Sequence, residues 1–309
     1  IQTKGWELAI DYRHTFKNGL HFGVTASVAD DKTEVTKWTY NTKIPSYGAT
    51  GWWDKSAYKE GMVLGDIWGL QFDRFLTEDD FNADGSLKAG LPDQTKVFPA
   101  GYQFAPGDVL YKDLDNNGEI VKQTNTNDKG DLSVIGNALP RLQFGLNLDA
   151  AWKGFDISMF FQGVAKRKLW AAGNQVLPGF TTGEPFYKGA EDYWTPENTD
   201  AFYPRPMDYK QSASGNYSVN DRYLLNMAYL RLKTFTVGYS LPKVWLSKFK
   251  VQGLRVYFTG ENLFTIDGVK PAIDPEIGIR TASGKSDQRN FGRSYPYQKT
   301  VSFGIQLSL

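Results

Sequence analysis

The chain has 309 residues, with 35 Lys and Arg against 34 Asp and Glu, no Cys, and a mean hydropathy of −0.45. A net charge of +1 with dispersed basic residues excludes a polyanion such as nucleic acid as the main partner. The absence of Cys excludes disulfide and thiol chemistry, and no apolar run is long enough for a membrane helix. A membrane β-barrel remains compatible with this composition, because only alternate residues of its strands are apolar.

Seven segments alternate apolar and polar residues with a period of two, which predicts β-strands. In chain order they run from Gly5 to His14, Leu20 to Ala29, Arg141 to Ala151, Phe155 to Gly163, Tyr229 to Ser240, Gly253 to Gly260 and Gln298 to Leu309. The third strand places the apolar row Leu142, Phe144, Leu146 and Leu148 opposite a small or polar face. Such two-sided strands suit a wide barrel in lipid, although the alternation also fits a soluble sandwich.

The connections between these strands alternate between short and long. The short ones cover 16–19, 152–154 and 241–250 and carry Asn-Gly, Lys-Gly or Pro turn signals. The long ones cover 30–140, 164–228 and 262–297. Outer-membrane barrels have short periplasmic turns and long external loops, so we expect a periplasmic C-terminus. A membrane strand at 61–70 would need a second strand to return, so we expect 61–70 to be extended structure within the first loop.

Seven strands do not close a barrel, because an open sheet edge in lipid leaves backbone groups without partners. We therefore expect the other strands to come from another chain or from an N-terminal part. The sequence begins inside a strand pattern, with neither an initiator Met nor a signal sequence. This indicates a piece of a longer protein or a cleavage product.

Ordered blocks along the whole chain resemble the C-terminal third of the SusC/RagA family, TonB-dependent outer-membrane transporters of the Bacteroidetes. They include Gly107-Asp-Val-Leu-Tyr-Lys-Asp-Leu-Asp-Asn-Asn-Gly-Glu-Ile120, Trp194-Thr-Pro-Glu-Asn198, Leu254-Arg-Val-Tyr-Phe-Thr-Gly-Glu-Asn-Leu-Phe264 and Asp274-Pro-Glu-Ile277. The resemblance implies an all-β, antiparallel transmembrane β-barrel of roughly 22 strands closed by a plug, of which this chain supplies about the last seven. It also implies an outer-membrane location, a SusD-like surface lipoprotein as partner, and energy from the TonB complex.

An acidic turn has the spacing of the first half of a calcium loop, with oxygen ligands at Asp113, Asp115 and Asn117 and a glycine at position six. Glu119 occupies position seven. In the resembled family the closing acid precedes an Ile-Gly pair, which points here to Asp131, with Asp128 as a competitor. The alternative is an ordinary Asx-rich turn. We predict bound Ca²⁺ with a structural role in this loop.

The connection 164–228 is rich in rings and turn formers. Its candidate ligand contacts are Trp170, Tyr193, Trp194, Tyr203, Arg205 and Tyr209. Packing of the rings within the loop is the competing interpretation. Glu191 and Asp192 are adjacent on one loop, which does not suit the two opposed carboxylates of a glycosidase, so we predict no enzyme activity.

The function predicted from the sequence is TonB-dependent import of oligosaccharides or oligopeptides through the outer membrane. The alternative is a lectin-like, carbohydrate-binding β-sandwich at the cell surface, without transport. A secreted hydrolase is a weaker third possibility.

Overall fold

The computed structural model describes residues 1–39, 60–122, 129–171, 173–180, 185–207, 215–246, 251–270, 273–276 and 295–308. The strands of this part are β1 Gln2–Thr15, β2 His21–Glu34, β3 Asp66–Gly69, β4 Phe72–Phe75, β5 Val109–Tyr111, β6 Ser133–Asn137, β7 Arg141–Trp152, β8 Phe155–Lys166, β9 Lys168–Leu169, β10 Leu225–Asn226, β11 Tyr229–Ser240, β12 Gly253–Asp267 and β13 Thr300–Ser308. Short 3₁₀ turns cover Glu78–Asp80, Thr95–Val97 and Gly215–Tyr217, and one α-helical turn, α1, covers Lys243–Leu246. Within the described residues, no helix has the length and apolar character needed to cross a membrane.

Seven strands form one antiparallel sheet in the order β1-β2-β7-β8-β11-β12-β13. All seven strands predicted from the alternation are confirmed, and β11 has the predicted ends. The largest difference is in β12, which continues to Asp267. The extended structure predicted for 61–70 is confirmed for Asp66–Gly69, where β3 pairs with β6 in a separate two-stranded sheet, whereas 61–65 contain turns.

The short connections are tight because their backbones adopt left-handed conformations. Lys153 and Gly154 have φ of 49° and 91° and make the two-residue turn between β7 and β8. A Cβ at Gly154 would lie 2.8 Å from the carbonyl oxygen of Ser240 on the neighbouring strand. The turn between β1 and β2 closes through a 2.8 Å hydrogen bond from Phe16 N–H to the Leu20 carbonyl.

The strand register separates apolar from polar side chains across the whole sheet. On one face Ile10, Ala26, Leu146, Phe161, Leu232 and Phe264 lie in one continuous row. The adjacent row of paired residues lies on the opposite face and is polar except for Phe160: it comprises Asp11, Thr25, Asn147, Phe160, Thr234 and Glu261. A β-bulge between Leu232 and Thr234 shifts the register where this row crosses β11. The sheet therefore has one apolar and one largely polar face.

The apolar face is exposed within the described part of the chain. Phe303 is 82% exposed and Ile10 56%, and the Leu142, Phe144, Leu146 and Leu148 row is not in the hydrophobic core. The three other sheets have two strands each, so none of them covers this face as the second layer of a sandwich would. The β-sandwich alternative is therefore wrong for this part of the chain.

The hydrophobic core lies in the long connections and not on the sheet. One cluster is centred on Trp170, Phe180 and Tyr223, and another on Leu70, Tyr111 and Ile120. We call residues 60–122, 129–140, 167–171, 173–180, 185–207 and 215–228 the loop body.

Contacts between the first and second long connections unite the loop body. Leu70 N–H donates to the Val219 carbonyl at 2.8 Å, and Phe72 N–H donates to Asp221 Oδ1 at 2.8 Å. The guanidinium of Arg222 lies 4.3 Å from the Phe72 ring centre. These contacts hold two segments that are distant in sequence above the same end of the sheet.

Candidate functional site

A buried carboxylate organises the centre of the loop body. Asp108 is 0% exposed and accepts hydrogen bonds from Arg205 Nε, Tyr102 Oη and Asn216 Nδ2, each at 2.8 Å. Its other oxygen accepts the Ala105 N–H at 2.9 Å. A buried charge with this set of donors is fully satisfied, so the network rigidifies the residues around it.

The electrostatics of this network favour the ion pair. Burial works against the charge of Arg205, but its hydrogen bond to Asp108 and the charge of Asp108 raise the guanidinium pKa overall. Burial is also the main cause that raises the pKa of Tyr102, and the charge of Asp108 adds to it. Tyr102 therefore stays a neutral hydrogen-bond donor, and Arg205 stays charged.

A cleft of about 690 Å³ opens on the surface of the loop body beside this network. Its lining residues are Pro178, Phe186, Tyr187, Lys188, Ala190, Glu191, Tyr193, Tyr203, Pro204, Arg205, Pro206 and Tyr217. The side chains of Phe186 and Tyr193 are 57% and 40% exposed, so both rings are accessible from solvent at the cleft. Lys188 and Glu191 supply charge at the same cleft. Flat apolar rings with a few fixed polar groups are typical of a ligand site.

The predicted ligand contacts fall into three groups. Tyr193, Tyr203 and Arg205 line the cleft together. Trp170 is 1% exposed inside one core cluster, and Trp194 is 6% exposed in the other, so neither ring presents a face to a ligand in this structure. Tyr209 lies outside the described residues.

Sequence reasoning missed the group that positions Arg205. Asp108 lies between Gly107 and the apolar start of β5, and an acid beside a fully buried strand is the signal that could have identified it. The three prolines of the cleft carry no comparable signal. Their position depends on how residues 173–180 and 185–207 pack together.

The acidic turn brings three of its predicted ligands together. One carboxylate oxygen from each of Asp113, Asp115 and Asp131 lies within 4.8 Å of the others. The turn has this shape because Asn116 and Gly118 adopt φ of 58° and 86°. The result is a cluster of three carboxylates formed by two segments of the first long connection.

Asp131 is the buried member of this group. It is 0% exposed, and its two oxygens accept the N–H groups of Leu114 and Val121 at 2.8 Å each. Desolvation and the charges of Asp131 and Asp113 raise the pKa of Asp115. Hard carboxylate oxygens at this spacing fit Ca²⁺, which takes six to eight oxygen ligands, so other ligands would complete the shell.

The other predicted ligands have different positions. The Glu119 carboxylate forms an ion pair with Lys96 and does not belong to the group of three neighbouring carboxylates. Asn117 accepts the Glu119 N–H at 2.8 Å and donates to Asp115 Oδ2 at 3.1 Å. The competing Asp128 lies outside the described residues. Asp113, Asp115 and Asp131 form the group of neighbouring carboxylates, and Ca²⁺ binding by the predicted ligands stays a prediction.

A second buried ion network joins the third long connection to the sheet. Arg231 of β11 is 3% exposed, donates to Asp274 Oδ1 at 2.7 Å and forms an ion pair with Glu276. Lys233 Nζ lies 2.9 Å from the same Glu276 carboxylate, and Asp274 Oδ2 accepts the Tyr297 N–H at 3.0 Å. The block Asp274-Pro-Glu-Ile277 contains both acids of this network, but the local sequence pattern does not indicate their contact with Arg231.

Comparison with known proteins gives relatives over the whole chain. No protein-family model matches it. TonB-dependent receptor P26 of Formosa agariphila is 32% identical over 327 residues, covering 100% of this chain and 29% of the relative. TonB-dependent receptor P3 of the same organism is 26% identical, and the match covers 99% of this chain and 28% of the relative. TonB-dependent receptor SusC of Bacteroides thetaiotaomicron is 25% identical, and the match covers 75% of this chain and 22% of the relative.

Solved structures share the fold. The RagAB peptide transporter matches with a TM-score of 0.60 and 20% identity, covering 99% of this chain and 29% of that chain. The RagAB peptide importer in the open-open state matches with a TM-score of 0.62 and 18% identity, covering 99% and 28%. The names of these proteins describe receptors and transporters, not enzymes.

The chain spans less than a third of the length of each of these relatives. TonB-dependent receptors are outer-membrane proteins, and the antiparallel sheet corresponds to part of such a receptor. The motif blocks, the relatives and the shared fold together identify the chain as a segment of a TonB-dependent receptor of the SusC/RagA type.

Proposed function

We propose that this chain forms part of an outer-membrane importer that takes up oligosaccharides or oligopeptides with energy from the TonB complex. The observation that carries the proposal is where apolar side chains are exposed and where they are buried. The sheet exposes its apolar face, while the hydrophobic core lies in the loop body. Lipid around the sheet removes that face from water, which a water-soluble protein of this shape would not achieve.

In this proposal the polar face of the sheet borders a water-filled interior that the plug of the receptor closes. The connections 30–140, 164–228 and 262–297 are extracellular, and the C-terminus is periplasmic. The outer edges of β1 and β13 have no neighbour in the described sheet. Unpaired backbone groups in lipid cost several kcal/mol each, so the N-terminal barrel portion of the receptor supplies the adjoining strands.

The cleft in the loop body is the proposed ligand contact. Its exposed rings suit the flat faces of sugars or the side chains of peptides, and Arg205 is held in place by Asp108. A SusD-like lipoprotein would cover the ligand from outside. Support for this partner comes from the SusC relative and from the RagAB structures, which are described as peptide transporters.

Bound Ca²⁺ at Asp113, Asp115 and Asp131 is proposed as a structural ion that pins the acidic turn to the segment at Asp131. The ion would offset the mutual repulsion of three carboxylates. No transport step is assigned to it.

Uptake by cells that carry the full-length receptor tests the importer proposal. We expect Tyr193→Ala to reduce uptake of labelled oligosaccharides or oligopeptides, because it removes an exposed ring from the cleft. Tyr295→Ala is the control, because Tyr295 is 95% exposed and does not line the cleft. Release of the receptor from membranes without detergent would contradict the membrane placement. Equal uptake by both variants would contradict the role of the cleft.

A further inference from the structure

Two lysines lie directly opposite each other at one end of the apolar face. Lys4 of β1 pairs in register with Lys32 of β2. Counting by two along β1 places Lys4 on the same face as Trp6, Leu8 and Ile10. Both lysines are exposed. The end of the sheet that they mark is the one joined to the loop body.

Like charges in directly opposed cross-strand positions are destabilising unless an anion lies between them. Within the described residues, no carboxylate lies within 4.0 Å of the Lys4 ammonium. Lys32 meets Glu34 at 3.6 Å, but both side chains are about half exposed. Asp30 does not compensate them, because Arg141 holds it through two hydrogen bonds. The lysine pair therefore has unused capacity for an anion.

A further acid near Lys32 does not fill this role. Burial is the main cause that raises the pKa of Asp66, although the charge of Lys32 acts to lower it. Asp66 also accepts a hydrogen bond from Asn137 Nδ2 at 2.9 Å. Within the described residues, the carboxylate partner of this lysine pair is therefore limited to the half-exposed Glu34 beside Lys32.

The depth of the pair along the strands decides which anion fits. The lysine row is two residues beyond Trp6, which is roughly 7 Å along a strand. Tyr12 lies on the same face six residues beyond Trp6 in the other direction, with Leu8 and Ile10 between. Aromatic residues at both ends of an apolar stretch lie at headgroup level, so the row just beyond Trp6 lies among the charged headgroups.

We infer that Lys4 and Lys32 bind the phosphate of an anionic lipid headgroup in the leaflet next to the loop body. The inference rests on the membrane placement in the proposed function. The two ammonium groups offer compact, flexible point charges, which suit a phosphate in a fluid headgroup layer. The lipid would attach to the outside of the receptor, away from the cleft and from the polar face.

Lipid binding to the full-length receptor tests the inference. The receptor is placed in nanodiscs of phosphatidylcholine, and bound lipid A is counted by native mass spectrometry, with dephosphorylated lipid A as the comparison. We expect preference for phosphorylated lipid A, and a loss of about fivefold for each of Lys4→Gln and Lys32→Gln. Lys17→Gln is the matched control, because Lys17 lies in the turn at the opposite end of the same hairpin.

Equal binding of the two forms of lipid A, or no loss in the two variants, would overturn the inference. Displacement of the lipid by inorganic phosphate at equal concentration would assign the site to a free anion and overturn the lipid assignment. Detergent extraction and the heat-induced shift of the receptor band serve as separate readouts. If the unmodified receptor lacks these two properties, the membrane placement itself fails, whatever the lysines bind.

Discussion

Arg205 and Asp108 form an ion pair with Nε 2.8 Å from Oδ1, in which the carboxylate is fully buried and the guanidinium reaches the cleft. The pair joins residue 205 of the second long connection to residue 108 of the first. The wall of the proposed ligand cleft is therefore fixed by a contact between two loops that are about a hundred residues apart in sequence. Rigid loops of this kind reduce the entropy lost when a ligand binds.

Removal of Arg205 should open the loop body. Arg205→Ala leaves the buried Asp108 charge uncompensated, which costs about 3–5 kcal/mol of local stability. Hydrogen exchange at the amides of Ala105 and Val109 would measure it, because these amides bond to Asp108 and to Asn216 within the network. Lys96→Ala is the control and should change exchange little, because the Lys96 pair with Glu119 is exposed. Unchanged exchange in Arg205→Ala would contradict the structural role of the pair.

Alanine substitutions at two glycines should distinguish the cost of backbone strain from the cost of a steric clash. Gly107 and Gly101 have φ of 90° and 72°, so alanine is strained at both positions. A Cβ at Gly107 would also lie 2.5 Å from the Trp194 ring, whereas nothing lies within 4 Å of one at Gly101. We expect Gly107→Ala to lower the free energy of loop opening by about 1–3 kcal/mol more than Gly101→Ala. Equal effects on protease cleavage of the loop body would contradict the close contact with Trp194.

Neighbouring residues of β7 should differ in their tolerance of charge. Leu146 lies on the apolar face and Asn147 on the polar face. In the full receptor, Leu146→Arg should lower the free energy of unfolding in lipid vesicles by about 2–4 kcal/mol, because the charge enters the bilayer. Asn147→Arg should have a much smaller effect. A reversed order in urea titrations would mean that the assignment of the two faces is wrong.

Calcium should protect the acidic turn from proteases. We expect slower cleavage in 113–131 when Ca²⁺ is added, and loss of that protection in Asp113→Asn with Asp131→Asn. Glu119→Gln is the matched control, because its carboxylate pairs with Lys96. Calorimetry with Ca²⁺ alone provides a second measurement. If Ca²⁺ protects all variants equally, it does not bind at Asp113 and Asp131. If it protects none of them, the turn binds no Ca²⁺.

One ion pair should make the loop body sensitive to acid. Two hydrogen bonds from Arg74 are the main cause that lowers the pKa of Asp80 from 3.8 to about 2. A lowered carboxyl pKa contributes stability that is present above pH 3.8 and is lost as the pH falls through about 2.

The contribution is at most about 2 kcal/mol. Hydrogen exchange at the Thr77 amide, which donates to Asp80 at 2.8 Å, would follow it after correction for the intrinsic rate. Arg74→Gln should remove most of the acid dependence of exchange. Asp79→Asn is the control and should keep that dependence, because Asp79 is not part of the ion pair.

The sequence by itself determined the seven strands and the division of their faces. A period of two is a local property, and every residue of a strand contributes to it, so the strand from Tyr229 to Ser240 is predicted with its observed ends. The same holds for the acidic turn, because the spacing of Asp113, Asp115 and Gly118 by itself favours that backbone.

Only the tertiary structure decided which residues of the long connections line the cleft. Trp170 and Tyr193 belong to the same aromatic-rich connection, yet one is buried in the core and the other is 40% exposed. The pairings of Arg205 with Asp108 and of Arg231 with Asp274 join residues about a hundred and about forty positions apart. No local pattern encodes such contacts, because they depend on how segments distant in sequence pack against one another in the folded chain.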